Sequence, residues 1–343
     1  MNLTKDKQRG FSLPELMVAI LLGTIVTTAV IGMYLSTSRN FSQDERYALM
    51  QENGRYALRT LAEDLAMADF WGKLTAADSI RNTVGLSTSG NCAAGTPGAG
   101  DGVDLLGDQT AATTAILYNN NHTGGTSHFT PCTEITDVQR PGTDLLVIKR
   151  AKGMPETGLS DGVVRVRVSG TAGSLVNTGA PAADETDWIY MPRIYFIRGY
   201  FDVPGDGIPS LCRMDLVNVG LDVGMGQLLN PTNASGVVDG VNCIAEGIED
   251  LHVQFGIDTD LDGIANQYLS SPTLAQMDGV VSARVYLLAR SSDPDPYFTD
   301  VKSFNLGDAT LNQGNLTGTS FYRRVFTTTV MLRNPVNLNL LNN

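Results

Sequence analysis

Between Phe11 and Leu35 the chain reads FSLPELMVAILLGTIVTTAVIGMYL, almost wholly apolar, with Lys5, Lys7 and Arg9 just before it. As a helix this run would be about 37 Å long, enough to cross a hydrocarbon core of about 30 Å. Lipid offers backbone groups no partner, so a single span must be helical to satisfy them internally. A secretory signal has a shorter apolar region with its small-residue cleavage site behind it. Here the run is longer, and the small residue, Gly10, stands in front. The positive-inside rule keeps Lys5, Lys7 and Arg9 cytoplasmic and faces the rest of the chain outward. Glu15 is the anomaly. An ionised carboxylate in hydrocarbon costs about 2.5–3.5 kcal/mol on insertion scales, which marks it as a functional residue.

Beyond the span the helical period continues. Tyr47, Met50, Gly54, Ala57, Leu61, Leu65 and Ala68 recur at spacings of three and four, while Glu45, Arg46, Glu52, Arg55, Arg59 and Glu63 mostly take the other faces. The pattern predicts one helix from about Phe11 to Phe70 within an N-terminal segment 11–72, the span covering 11–35 and Gly72 acting as the stop. Residues 73–142 are rich in Gly, Ala, Thr, Asn and Ser, and are expected to form a loop-rich insertion with a few short strands. From Thr143 onward strand signals dominate: DLLVIKR, VVRVRVSG, RIYFIRGYF, LCRMDLV, IEDLHVQFGID, VVSARVYLLAR and YRRVFTTTVMLRN. A long helix followed by an antiparallel sheet domain over 73–343 is an α+β arrangement.

Composition narrows the function classes. The net charge is −12, and without residues 1–10 it becomes −14, which argues against a nucleic-acid-binding face. Cys92, Cys132, Cys212 and Cys243 lie far apart with no zinc-like spacing, so outside the cytoplasm they read as two disulfides. Of the three possible connectivities the sequential one, Cys92–Cys132 with Cys212–Cys243, is favoured. The histidines, His122, His128 and His252, assemble with no nucleophile motif, so no enzyme is expected. The stretch DTDLDGIAN places Asp258, Asp260, Asp262 and Gly263 as in positions 1, 3, 5 and 6 of a calcium-binding EF-hand loop. Ile264 would offer a carbonyl and Asn266 a side-chain oxygen, but Leu269 replaces the bidentate Glu. Either a weak calcium site or a polar turn between strands fits. DVPGDG, Asp202 to Gly207, reads as a turn.

The segment KDKQRG, followed by FSLPEL, resembles the processing site of type IV prepilins. The resemblance implies cleavage of leader 1–10 after Gly10 by a prepilin peptidase, methylation of the new amine on Phe11, and an assembly role for Glu15. In a filament Glu15 can face the amine of a neighbouring Phe11, where opposite charge offsets desolvation. With IEDLHVQFGIDTDLDGIANQY and YRRVFTTTVMLRN, the chain is similar to PilW-type minor pilins. That likeness implies a single-pass inner-membrane protein with a periplasmic body, which helps initiate and cap type IV pili. Its implied partners are other minor pilins, the major pilin and the inner-membrane assembly machinery. A type II secretion minor pseudopilin shares the same processing site. A membrane-tethered binding module or hydrolase is the alternative of another class.

Overall fold

The structure, a computed structural model, describes residues 10–74, 80–81, 87–89, 115–120, 139–159, 161–215, 225–227, 241–312, 314–316 and 318–334. It divides into two compact units, Met1–Leu49 and Met50–Asn343. Helix α1 (Leu13–Ala66) belongs to both. In the first unit α1 is apolar around its circumference from Leu16 to Leu35, and Leu16, Ile20, Leu21, Ile25, Val26 and Ile31 are exposed. The threonines of this stretch close on the helix itself. Thr24, Thr27 and Thr28 donate their hydroxyls to the carbonyls of Leu21, Gly23 and Thr24, each at 2.8 Å. This is how a helix suited to lipid accommodates hydroxyls.

In the second unit the same helix is amphipathic. Met50, Gly54, Ala57, Leu58, Leu61 and Leu65 are buried, whereas Glu52, Arg55, Arg59 and Glu63 are exposed. Full burial of a large apolar side chain is worth about 1.5–3 kcal/mol, so packing rather than propensity holds this stretch. Gly54 costs a helix about 1 kcal/mol relative to Ala. A Cβ there would lie 2.5 Å from the ring of Phe326, so glycine permits the close approach. The helix ends at Ala66, short of the Gly72 stop, and Asp69 takes a left-handed φ of 63°. Gly72, at φ 73°, instead carries the chain beneath Trp188, whose ring a Cβ would meet at 2.6 Å.

Three sheets make most of the body. One has strand order β11-β9-β8-β4-β3, built from β3 (Ile116–Asn119), β4 (Leu145–Ile148), β8 (Arg193–Arg198), β9 (Ser210–Asp215) and β11 (Val241–Glu246). A second, β13-β12-β14-β17, contains β12 (Ile248–Ile257), β13 (Gln267–Leu269), β14 (Val280–Arg290) and β17 (Arg323–Met331). The third, β1-β6-β5-β7, contains β1 (Ile80–Arg81), β5 (Arg165–Ser169), β6 (Ala172–Val176) and β7 (Glu185–Ile189). Pairing is antiparallel in all three, except that β1 joins β6 in parallel. Strands β2 (Ser87–Ser89) and β10 (Met225–Gln227) pair in parallel, and β15 (Phe304–Leu306) and β16 (Ala309–Leu311) form a hairpin. A second helix, α2 (Leu274–Met277), is a single turn closed by a Thr273–Gln276 capping box.

All ten residues of β12 are buried, so it is a central strand covered on both faces. The β15–β16 hairpin contributes Phe304, Leu306, Ala309 and Leu311 to a cluster with Leu288, against which Val325 packs. The third sheet closes its own core around Trp71, Val166, Val168, Leu175 and Trp188. Cys212 and Cys243 stand opposite each other on β9 and β11 and form a disulfide. In the chain-entropy account such a ring is worth about 3–4 kcal/mol. Cys92, Cys132, His122 and His128 lie outside the described residues.

Candidate functional site

The processing motif lies at the start of α1. Gly10 and Phe11 are exposed, Phe11 at 89%, and nothing lies within 4 Å of a Cβ built on Gly10. Ser12 stands just before the helix, and Glu15 occupies its third position. Glu15 Oε2 accepts the Ser12 backbone N–H at 2.9 Å and the Ser12 hydroxyl at 2.8 Å. The carboxylate therefore closes one half of a capping box and suits the positive end of the helix dipole. That local role was not apparent from its place in an apolar run, yet the order S-L-P-E carries the signal.

A second carboxylate on the same helix was missed altogether. Asp64 is 2% exposed and is held by three residues from the sheet side. Arg150 donates from Nε at 3.1 Å and Nη2 at 2.8 Å, Arg193 Nη1 reaches both oxygens at 2.5 and 2.6 Å, and the Tyr195 hydroxyl donates to Oδ2. Desolvation alone would raise the Asp64 pKa, but hydrogen bonds from Arg193 and Tyr195 and the charges of Arg193 and Arg150 hold it below the usual range. Burial, reinforced by the charge of Asp64, pushes the Tyr195 phenol up, so it remains a donor. This pair of arginines and a tyrosine fixes the helix against β8.

The row of polar residues on β12 has buried partners. His252 is fully buried, with Nδ1 2.8 Å from Asp144 Oδ2 and Nε2 2.8 Å from Asp308 Oδ1 and 3.1 Å from Ser270 Oγ. Tyr118 donates its hydroxyl to Asp144 and to the carbonyl of Val253, and Ser270 donates to Asp308. An acid, an imidazole and a serine thus come together, as a hydrolase would need. The Ser270 proton points to Asp308 rather than to His252, however, and each ring nitrogen faces a carboxylate. The Nε2 that would have to take a nucleophile's proton meets Asp308 at 2.8 Å, closer than the Ser270 hydroxyl at 3.1 Å. Burial raises and the bonds from Ser270 and His252 lower the Asp308 pKa, and the lowering wins. The cluster ties β12 to the start of β4 and to the turn of the β15–β16 hairpin. Neither Asp144 nor Asp308 signals this role in the sequence, because the contacts span separations of 108 and 56 residues.

The Asp258–Asn266 stretch is the turn between β12 and β13. Asp258, Asp260 and Asp262 present oxygens within 4.8 Å of one another. Asp258 accepts the amides of Asp260 at 3.1 Å, Leu261 at 2.7 Å and Gly263 at 2.7 Å. Burial raises its pKa, but those three amides together lower it below the usual carboxylate value. Asn266 Oδ1 accepts from the Thr259 amide at 2.6 Å and hydroxyl at 3.0 Å, and Asp262 Oδ1 caps the Ile264 amide at 2.8 Å. The turn is closed by its own amides. In DVPGDG, Asp206 likewise accepts the amides of Phe201, Asp202, Val203 and Ile208, making a turn.

Comparisons with known proteins agree with the two regions just described. Residues 5–31 match the prokaryotic N-terminal methylation motif, and residues 204–334 match the family model of type IV pilus-assembly protein W. No curated protein and no solved structure matches the chain. The second match runs from the turn before β9 to the end of β17, taking in β12, β14 and the β15–β16 hairpin. A methylation motif opening an apolar helix, joined in one chain to a strand-rich region that matches the pilus-assembly W family, supports a minor-pilin role in type IV pilus assembly.

Proposed function

We propose that this minor pilin acts at pilus initiation and resides at the pilus tip, its body in the periplasm until assembly carries it outward. The observation that carries this reading is the pairing, in one chain, of the methylation motif over 5–31 with the pilus-assembly W region over 204–334. Prepilin peptidase would cut between Gly10 and Phe11, the amine of Phe11 would be methylated, and Glu15 would meet such an amine in a neighbouring pilin. Desolvation makes an unpaired carboxylate costly in an apolar bundle, and that cost is the driving force for the pairing. The immediate partners are then other minor pilins and the major pilin, with the inner-membrane assembly machinery drawing the chain from the bilayer. Calcium at Asp258, Asp260 and Asp262 would be a weak addition, supported by three oxygens within 4.8 Å and weakened by the absence of an acid at Leu269.

Deleting the chain tests this reading, with sheared surface pili and secreted protein measured side by side. Loss of pili with intact secretion is the expected result, along with the chain in the sheared fraction and a methylated Phe11 at its N-terminus by mass spectrometry. Lost secretion with normal piliation would make it a type II pseudopilin instead.

A further inference from the structure

We propose that the outer edge of β17 is a strand-addition site for an acidic, extended segment of a different pilin subunit. The inference rests on the minor-pilin reading and adds a docking surface to it. Strand β17 pairs with β14 through nine consecutive residues, Arg323 to Met331, without a register shift. Flanking bonds fix which groups point inward. The Ser291 amide donates to the Tyr322 carbonyl at 2.8 Å, and the Leu332 amide to the Val281 carbonyl at 2.9 Å. Residues 322 and 332 therefore bond toward β14. By the two-residue alternation of an antiparallel ladder, 324, 326, 328 and 330 do too. The amides and carbonyls of Arg323, Val325, Thr327, Thr329 and Met331 point away from β14. Among the described residues no backbone hydrogen bond meets those of Val325, Thr327, Thr329 or Met331.

Among the described residues the other edges of the three main sheets are shorter or broken: β1 has two residues, β13 three, β3 four and β7 five, and β11 carries a register shift between Cys243 and Ala245. Such features blunt an edge against pairing, as proline, bulges and inward charges do. The β17 edge has no proline and no bulge, and its centre, Thr327-Thr328-Thr329, is β-branched. Thr327, Thr329 and Met331 are exposed there. A row of alternating donors and acceptors along an extended strand is complemented by another extended backbone.

Charge and geometry select the occupant. Residues 321–334 contain Arg323, Arg324 and Arg333 and no acid, in a chain of net charge −12. Arg323 is neutralised by Glu249, its Nε 2.6 Å from Oε2. Arg324 and Arg333 are exposed and form no ion pair among the described residues. An incoming strand with carboxylates near these two positions would be favoured, and a basic one repelled. A second copy is disfavoured by charge: β17 paired antiparallel with its own copy would bring Arg324 of one chain toward Arg333 of the other, with no acid in 321–334 to offset them. On the minor-pilin reading the partner is another pilin.

The test uses the full chain in piliated cells. Thr327→Pro removes an outward N–H and leaves the β14 ladder whole, whereas Thr328→Pro removes an inward one. Thr327→Pro is expected to melt close to the native chain in detergent but to vanish from sheared pili, whereas Thr328→Pro should melt lower. A photo-crosslinking benzoylphenylalanine at Thr327 should give an adduct that peptide mapping assigns to a strand of another pilin. The same group at exposed Thr310 on β16 should not. Should Thr327→Pro prove unstable, the crosslink alone decides. A Thr327 adduct only with a second copy or with a protein that is not a pilin overturns the proposal, as does normal entry of a stable Thr327→Pro chain into pili. Either result leaves the minor-pilin reading intact, because that reading fails only if deleting the whole chain leaves piliation unchanged.

Discussion

The two halves of α1 solve opposite problems with one kind of residue. In the first unit, the described partner of Glu15 is Ser12, its own neighbour, and the apolar side chains around it are exposed. In the second unit, Asp64 is buried and held by Arg150, Arg193 and Tyr195 from the sheet. A carboxylate fully satisfied inside its own domain belongs to folding. One left with a local cap on an exposed apolar helix belongs to what the helix meets next. On the proposed reading the helix is half interface and half core, and single substitutions should separate the two.

The largest expected effect is at Asp64. Asp64→Ala leaves Arg150 and Arg193 facing an apolar methyl, and breaking a buried pair costs about 3–5 kcal/mol. Thermal melting of the full chain in detergent should fall steeply, and a shift no larger than that of a surface substitution would contradict the anchor. Acid should act on the same lock. Asp64 and Glu249 have pKa values below their ordinary ones, so their stabilisation is present above the unfolded carboxylate range and lost as pH falls through their folded values. Melting against pH should therefore decline below the usual carboxylate range, and the decline should be shallower in Asp64→Asn.

Gly54→Leu comes next. Helix propensity would gain about 1 kcal/mol on leaving glycine, but overpacking a filled core costs about 1–3 kcal/mol. A Cβ already meets the Phe326 ring at 2.5 Å, so overpacking should win and the melting point drop. Gly54→Leu paired with Phe326→Ala should recover part of the loss, and no recovery would mean the helix approaches the sheet elsewhere.

Much of this was legible in the sequence, and the exceptions have physical causes. The stripe from Met50 to Leu65 and the seven strand segments from DLLVIKR to YRRVFTTTVMLRN announced themselves by period, because each has one dominant environment. Strands β6 and β7, AGSLV and ETDWI, did not, since they are held by cross-strand partners such as Arg167 with Asp187. Asp64 was hidden because a charged residue beside the apolar stripe ordinarily faces water, and nothing local announces arginines 86 and 129 residues away. The polar residues of β12 gave no sign of their partners, because Asp144 and Asp308 reach His252 from distant segments.

The smallest effect belongs to the Asp258 turn. Because three amides already satisfy its carboxylate, Asp258→Ala should lower the melting point more than Asp260→Asn, whose side chain is exposed. Millimolar calcium should add a slight further stabilisation, in keeping with extracellular sites of about 10⁻⁴–10⁻³ M affinity. No heat by calorimetry and no melting shift would leave the loop a self-closed turn.

The most direct test of the divided helix is Glu15→Gln, which keeps an acceptor for the Ser12 amide and removes only the charge. Melting of the full chain in detergent and the amount of chain in sheared pili should be measured on the same variant at matched expression. The account expects an unchanged melting point and loss from the pili. Entry into pili at the native level would contradict it.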